Sequence, residues 1–361
     1  MCTSEDHHPD HDRDDEVGRA MPRTIEGDAV DPVALEPVDE VVITTLADNT
    51  YDGLMVDMGP ARRAAMPRTP RVPCPEFEGG TTVGGLVAEH GFAALVTTRR
   101  GDRTHTVLFD TGVSPNGMSD NLERLEIDSR AIEALVLSHG HFDHAGGLSG
   151  LARLRGRQGL PITVHPRVWT ARRLALPGRP EWELPVLRRA SLEAEGFEVI
   201  ERRQPSLLLD GTVLITGEVD RTTDFEVGMP FHEARGERGW EPDPVILDDQ
   251  ALVVNVRDRG LVVLTGCGHA GAVNICRYAL RLTGTDRLAA LLGGFHLNGP
   301  AFEPIIEPTV SALRDLAPDV VVPAHCTGWR AQHRLAAALP DAFVPNSVGT
   351  SVTLAAASAP A

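Results

Sequence analysis

Ala134-Leu135-Val136-Leu137, a short apolar run, passes straight into Ser138-His139-Gly140-His141-Phe142-Asp143-His144. A run of this length bounded by polar residues reads as a buried strand, and three histidines and an aspartate follow within a few residues of its end. Divalent metals such as zinc take imidazole nitrogen, carboxylate oxygen and thiolate sulfur, and a catalytic site leaves one position open for water. Alternate side chains of an extended segment share a side, so His139 and His141 can converge on one ion. A turn beyond them can direct Asp143 and His144 at a second. Gly140, Gly146 and Gly147 are expected to supply unusual backbone angles in this loop. The competing reading, polar residues on a solvated loop, suits a lone histidine better than this cluster.

The rest of the chain repeats the pattern of apolar runs ending in polar, chemically capable residues. Val41 to Leu46 is β-branched and stops at Asp48-Asn49, while Thr106 to Phe109 stops at Asp110. Leu86 to His90 and Phe92 to Thr98 read as two strands joined at Gly91, and Ser119 to Leu125 has helical spacing. In the second half, Leu207 to Leu209, Thr212 to Thr216, Ala251 to Val256 and Leu261 to Thr265 read as strands. Asp258-Arg259-Gly260 supplies the turn between the last two. Val273 to Leu282 reads as a helix. Ala289 to Leu292 leads into Gly293-Gly294-Phe295-His296, Glu307 to Leu316 is helical, and Val320 to Val322 leads into Pro323-Ala324-His325-Cys326. Strands alternating with helices in both halves predict an α/β chain of two sheets packed face to face with helices outside. Pro60 to Pro75 is expected to be an irregular insertion. The polar stretch Glu218 to Pro244, which contains His232, is expected to form a lid. His165 reads as structural, and Cys276 and Cys326 as packed thiols rather than nucleophiles.

Charge narrows the function. The formal net charge is −17, and residues 1–40 carry 13 acidic against 3 basic residues, so −10 of the −17 sits there. The remainder, about −7, offers no basic surface for a phosphate backbone, which argues against a nucleic-acid partner. Residues 1–37 read as a disordered acidic tail in which His7, His8 and His11 could bind metal loosely. Residues 38–352 read as the folded domain and 353–361 as a frayed end. Five irregularly spaced cysteines suit reduced thiols in the cytoplasm better than a disulfide framework. An acidic N-terminus without an apolar stretch is not expected to act as a signal peptide, and nothing approaches the ~18–20 apolar residues of a membrane span.

Leu137-Ser138-His139-Gly140-His141-Phe142-Asp143-His144-Ala145-Gly146-Gly147-Leu148 resembles the HxHxDH motif of the metallo-β-lactamase superfamily. The resemblance implies an αβ/βα four-layer sandwich of two mixed β-sheets with helices on the outer faces. It also implies a dinuclear metal site along one edge, with His139 and His141 on one metal and Asp143 and His144 on the other. Further stretches are similar to one branch, the methanopterin-type dihydropteroate-synthase-like proteins. These are Leu46 to Thr50, Phe109 to Gly112, Leu264 to Gly271 with Asn274-Ile275, Gly293 to Leu297, and Pro323 to Gly328; together they span roughly residues 40–352. Two departures stand out. Many members carry a further ligand histidine where this chain has Pro244-Val245-Ile246-Leu247-Asp248-Asp249-Gln250, and a bridging aspartate where it has Gly266-Cys267-Gly268-His269. His269 is therefore expected as a ligand, with Cys267 as a possible one, bridging or supporting. His325 is expected to complete the second metal's ligands.

Two metals a few ångströms apart hold a hydroxide at neutral pH and polarise the oxygen under attack. In that scheme Asp143 is catalytic as well as a ligand. His296 is a ligand, or a donor to an oxyanion or phosphate. Asn49 is expected at the substrate, and Asp110 behind a metal-binding histidine. Nitrogen and oxygen donors suit two divalent ions, zinc first, with iron or manganese as alternatives. The expectation is a hydrolase of a small ester, lactone, thioester or phosphate-bearing metabolite. The alternatives are a condensing enzyme of pterin metabolism and a non-catalytic metal- or ligand-binding protein. A flavodiiron-type redox protein is disfavoured, because His141 stands where such proteins usually have glutamate.

Overall fold

The computed structural model describes residues 32–64 and 70–357, so nearly all of the expected acidic tail, including His7, His8 and His11, lies outside the described residues. The tail boundary needs correcting. Val33 N–H donates to Leu282 O at 2.7 Å, Glu36 N–H donates to Gly211 O at 2.9 Å, and Leu35 is buried. Val33 and Leu35 give this stretch apolar contacts that its acidic composition hides. At the other end, Thr353 to Ala355 belong to the strand Ser351–Ala355, paired with Glu40–Ala47, and are not frayed.

Two mixed sheets form the middle of the molecule. The first has eight strands in the order Phe197–Glu201, Leu160–Val164, Ala134–Val136, Arg103–Phe109, Ala93–Arg100, Glu40–Ala47, Ser351–Ala355 and Ala61–Arg62. The second has six, in the order Ser206–Leu208, Val213–Ile215, Leu252–Val256, Gly260–Thr265, Leu288–Gly294 and Val320–Ala324. Period-two alternation sorts each strand's side chains between layers. Val262 and Leu264 face the first sheet, packing with Val96, Val107 and Val136, while Leu261 and Val263 face the helices Ala272–Thr283 and Ile306–Leu316. The helices Gly117–Arg124 and Leu148–Arg155 cover the outer face of the first sheet. The result is the expected helix–sheet–sheet–helix sandwich.

Strand direction fixes where function can sit. Arg103–Phe109 and Ala134–Val136 are parallel, as are Gly260–Thr265, Leu288–Gly294 and Val320–Ala324. Glu40–Ala47 runs the same way as Arg103–Phe109, since each is antiparallel to Ala93–Arg100. The segments after these carboxyl ends hold Asp48, Asp110, His139, Cys267, His296 and His325. Asp110, His296 and His325 have φ of 61°, 44° and 46°, a left-handed conformation that costs non-glycine residues energy and concentrates at functional sites.

Three expected elements differ. Leu86 to His90 is a loop, because the buried Asn121 side chain takes its backbone: Asn121 Oδ1 accepts from Val87 N–H and Nδ2 donates to Val87 O, each at 2.8 Å. The proline-rich insertion is partly regular, with Ala61–Arg62 on the first sheet's edge and Arg71–Pro73 paired with Thr81–Val83. Glu218 to Pro244 contributes His232–Gly236 and Gly239–Pro242 to a separate four-stranded antiparallel sheet with Arg172–Leu174 and Trp182–Glu183.

Candidate metal centre

The helical turn Phe142–Ala145 begins directly after His141, so the loop turns back on itself and separates its donors into two directions. On one side, His139 Nε2 stands 2.9 Å from His141 Nδ1 and 3.2 Å from His269 Nε2. Donors about 2.0–2.1 Å from a tetrahedral ion are about 3.3 Å apart, so the spacing suits nitrogens sharing one ion. On the other side, Asp143 Oδ2 is 3.2 Å from His325 Nε2 and 3.8 Å from His144 Nε2. Cys267 Sγ lies between, 3.1 Å from His144 Nε2. It belongs to one donor group with Asp143, His144 and His325, to another with His139 and His269, and to a third with His296 and Cys326.

Supporting contacts decide which ring nitrogens carry hydrogen. Ser138 Oγ donates to Asp110 Oδ2 at 2.7 Å, so at 2.9 Å it accepts from His139 Nδ1–H and leaves His139 Nε2 a bare lone pair. Asp110 Oδ2 accepts from His144 Nδ1–H at 2.6 Å, turning His144 Nε2 towards Cys267. Both atoms of the Asn49 amide face His325: Nδ2 donates to its carbonyl at 3.0 Å, and Oδ1 lies 3.3 Å from Nδ1. Asn49, which is exposed, thus holds both the ring and the backbone of a candidate ligand. Asp48 Oδ1 accepts from His325 N–H at 2.7 Å.

Burial drives the pKa of His139 well below that of a free imidazole, and neighbouring imidazoles push it further. Burial, aided by His232, brings His141 to about 3. His144 goes the other way: burial lowers it, but the carboxylates of Asp110 and Asp143 outweigh that and raise it to about 9. Burial favours a neutral Asp143, yet His144 and His325 hold it well below the usual carboxylate range. Burial lifts Asp249 to about 7, and its Oδ1, 4.0 Å from His139 Nδ1, has no hydrogen-bond partner. His325 Nε2 and His296 Nδ1 are also buried without one. The His139, His141 and His269 imidazoles, kept neutral by burial, lie beside the Cys267 thiol and the ionised Asp143, a donor set that fits divalent cations.

A family model described as the metallo-beta-lactamase superfamily matches residues 87–279, more than half of the chain. The chain belongs to the metallo-beta-lactamase superfamily. It is 27% identical over 253 residues, 68% of this chain and 83% of the relative, to a Methanocaldococcus jannaschii protein named 7,8-dihydropterin-6-methyl-4-(beta-D-ribofuranosyl)-aminobenzene-5'-phosphate synthase. An uncharacterized protein of the same organism is 27% identical over 257 residues, 69% of this chain and 88% of that one. Among solved structures it is similar to Tm1679, described as a metal-dependent hydrolase of the beta-lactamase superfamily, with a TM-score of 0.63 and 24% identity over 87% of this chain and 99% of that one. This last likeness concerns the fold. Superfamily membership supports a metal-dependent, hydrolase-like function, and the His, Asp and Cys groups could hold the metal.

Within this superfamily chain, His139, His141, Asp143, His144, His269 and His325 come together from both sheets, with Cys267 among them. His296 stands at the rim, its ring 4.5 Å from that of His269. His90, largely exposed, lies 3.9 Å from Asp143 Oδ2 on the open side. The glycines of the loop act differently from expectation. Gly146 and Gly147 have ordinary φ of −63° and −83°, and Gly140 is not among the positive-φ residues. They permit close approach: a Cβ on Gly146 would lie 1.8 Å from Val113 O. Cys276 and Cys326 are buried free thiols as expected, but Cys326 lines the site. His165 caps the short helix Pro166–Trp169, accepting from Arg167 N–H. Sequence reasoning missed His232, whose Nε2 is 3.0 Å from His141 Nε2. It also missed Arg172, Asp248 and Asp249. The acidic pair Asp248-Asp249, directly before a strand, was the available signal. Among the described residues no helix is long and apolar enough to cross a membrane.

Proposed function

We propose that the chain is a dinuclear metallohydrolase of a small ester, lactone, thioester or phosphate-bearing metabolite. The observation that carries this reading is that Cys267 Sγ is common to two donor groups, one with His139 and His269 and one with Asp143, His144 and His325. His141 joins the first through Nδ1. Zinc is the preferred metal on donor chemistry. When bound, two such ions supply a water of lowered pKa and polarise the bond to be cut. The chain's own residues do the rest. Asp143 stays ionised at Oδ2 and can accept and orient the attacking water's proton. His296 Nδ1, unpartnered at the rim, can donate to oxygen developing negative charge. The cleft beside His269 and His296 is walled by Phe225, Val227, Met229, Leu297, Phe302 and Ile305, which suits an apolar or flat group next to the scissile bond.

Elemental analysis of the purified protein, with a panel of esters, lactones, thioesters and phosphate esters, tests the reading. Two equivalents of divalent metal and turnover are expected in the wild type, and folded His141→Ala and Asp143→Ala should each lose turnover together with the one equivalent that the replaced residue holds. Full activity in a folded, metal-depleted variant refutes it. Similarity to the M. jannaschii synthase favours a second reading, a pterin-forming condensation. Formation of that relative's named product from a dihydropterin that carries a leaving group on its 6-methyl carbon and the ribosylaminobenzene phosphate, with release of that group and a proton and without hydrolysis of any panel member, would decide for it.

A further inference from the structure

His232 arises from the separate four-stranded sheet, yet it is buried against the metal-binding loop. Its Nδ1 lies 3.2 Å from the carbonyl oxygen of Asp243, and its Nε2 lies 3.0 Å from His141 Nε2. A carbonyl only accepts, so His232 Nδ1 carries the hydrogen and its Nε2 carries a lone pair. The facing His141 Nε2 must then be the donor. A neutral imidazole with its hydrogen on Nε2 has its lone pair on Nδ1, the atom that stands 2.9 Å from His139 Nε2 at the shared point. Asp243 is itself fixed, its N–H donating to His232 O at 2.8 Å and its Oδ2 accepting from Arg172 Nε at 3.3 Å.

We infer that His232 is a positioning residue that sets the tautomer of His141, locking hydrogen on Nε2 and presenting Nδ1 to the metal. The separate four-stranded sheet thereby takes part in building the metal centre. The inference rests on reading the site as a metal centre. It assigns the first ion's affinity, rather than any bond-making step, to a contact between residues far apart in sequence. Partners of this kind, which orient a ligand from behind, typically change metal affinity by about 10- to 100-fold when removed.

The test uses the full chain and zinc, with affinity measured by competition against a chromophoric chelator and folding followed by circular dichroism. His232→Phe removes the acceptor and is expected to weaken one of two sites by about 10- to 100-fold. His232→Gln places an amide oxygen near the lost Nε2 and is expected to restore most of that affinity. Equal zinc affinity in folded His232→Phe and wild type overturns the inference. Nitrogen chemical shifts of His141 in the metal-free wild-type protein give a check that needs no variant: hydrogen on Nε2 supports the assignment, and hydrogen on Nδ1 overturns it. A wild-type protein that takes up no zinc instead defeats the metallohydrolase reading, which separates the two failures.

Discussion

Replacing Arg172 by methionine should cost the fold about 3–5 kcal/mol, the usual consequence of stripping one partner from a buried ion pair. Arg172 is 2% exposed and its guanidinium bridges Asp248, which is wholly buried, and Asp243. Asp243 would keep Arg167 at 3.2 Å, whereas Asp248 would keep only the Gly140 N–H at 2.9 Å. Most of the cost therefore belongs to Asp248, and it is a large part of the ~5–15 kcal/mol that a typical domain has. The pH dependence has a definite sign. Burial pushes the Asp248 pKa up, but Arg172 outweighs it and the folded-state value is below 3.8. The stabilisation is present above the unfolded pKa and is lost as pH falls through the lower folded one. Without Arg172, only the Gly140 N–H and the nearby His141 still oppose burial, so the folded carboxyl titrates higher than in the wild type and acid relieves part of the variant's penalty. Urea unfolding of metal-free wild type, Arg172→Met, Asp248→Asn and the double variant at pH 7 and near pH 4 measures this. The gap between wild type and Arg172→Met should narrow in acid, and the double variant should lose far less than the sum of the singles. Costs additive within about 0.5 kcal/mol, with an unchanged gap, would refute the argument.

Two further substitutions probe the frame around the site. Gly146→Ala should prevent correct packing of the loop, since the new Cβ would meet Val113 O at 1.8 Å; soluble expression and thermal unfolding report it, and wild-type stability would contradict it. The buried Asn274 side chain accepts from the Thr222 and Thr223 N–H groups at 2.7 and 2.9 Å, and Asn274→Ala removes both bonds. A loss of about 1–3 kcal/mol and faster amide exchange at both threonines are expected.

Strands and helices of the sandwich were legible because each carries its own period and its own stop. The run Ala134 to Leu137 and its histidines needed no distant information, and the same holds for Val320 to His325. Legibility failed where a partner from elsewhere decides the outcome. Leu86 to His90 has strand-like composition, but Asn121, 34 residues from Val87, takes its hydrogen bonds. His232 sits in a stretch without periodicity and meets His141 across 91 positions, so a single histidine there says nothing by itself. Glycine is ambiguous for the same reason. Sequence shows that the side chain is missing at Gly146, but only packing shows that Val113 rather than an unusual φ requires it.

Cys267 offers the sharpest remaining distinction, because it stands where the superfamily's bridging aspartate is usual. A residue serving one ion and a residue serving both give different patterns of metal loss. His325 belongs only to the group with Asp143, His144 and Cys267. His325→Ala should therefore release one equivalent and leave the ion at His139, His141 and His269 in place. Cys267 joins both groups, and in the metal-free protein burial, the neighbouring Cys326 and then Asp143 and Asp249 push its thiol well above the ordinary range, so a bound cation would be needed to hold it as thiolate. Cys267→Ala should weaken both ions together, while Cys267→Asp, which restores an anionic bridge, should recover part of the loss. Titration of each folded variant with zinc against a chelator separates the patterns. Two equivalents bound by Cys267→Ala with unchanged affinity would show that the sulfur bridges nothing.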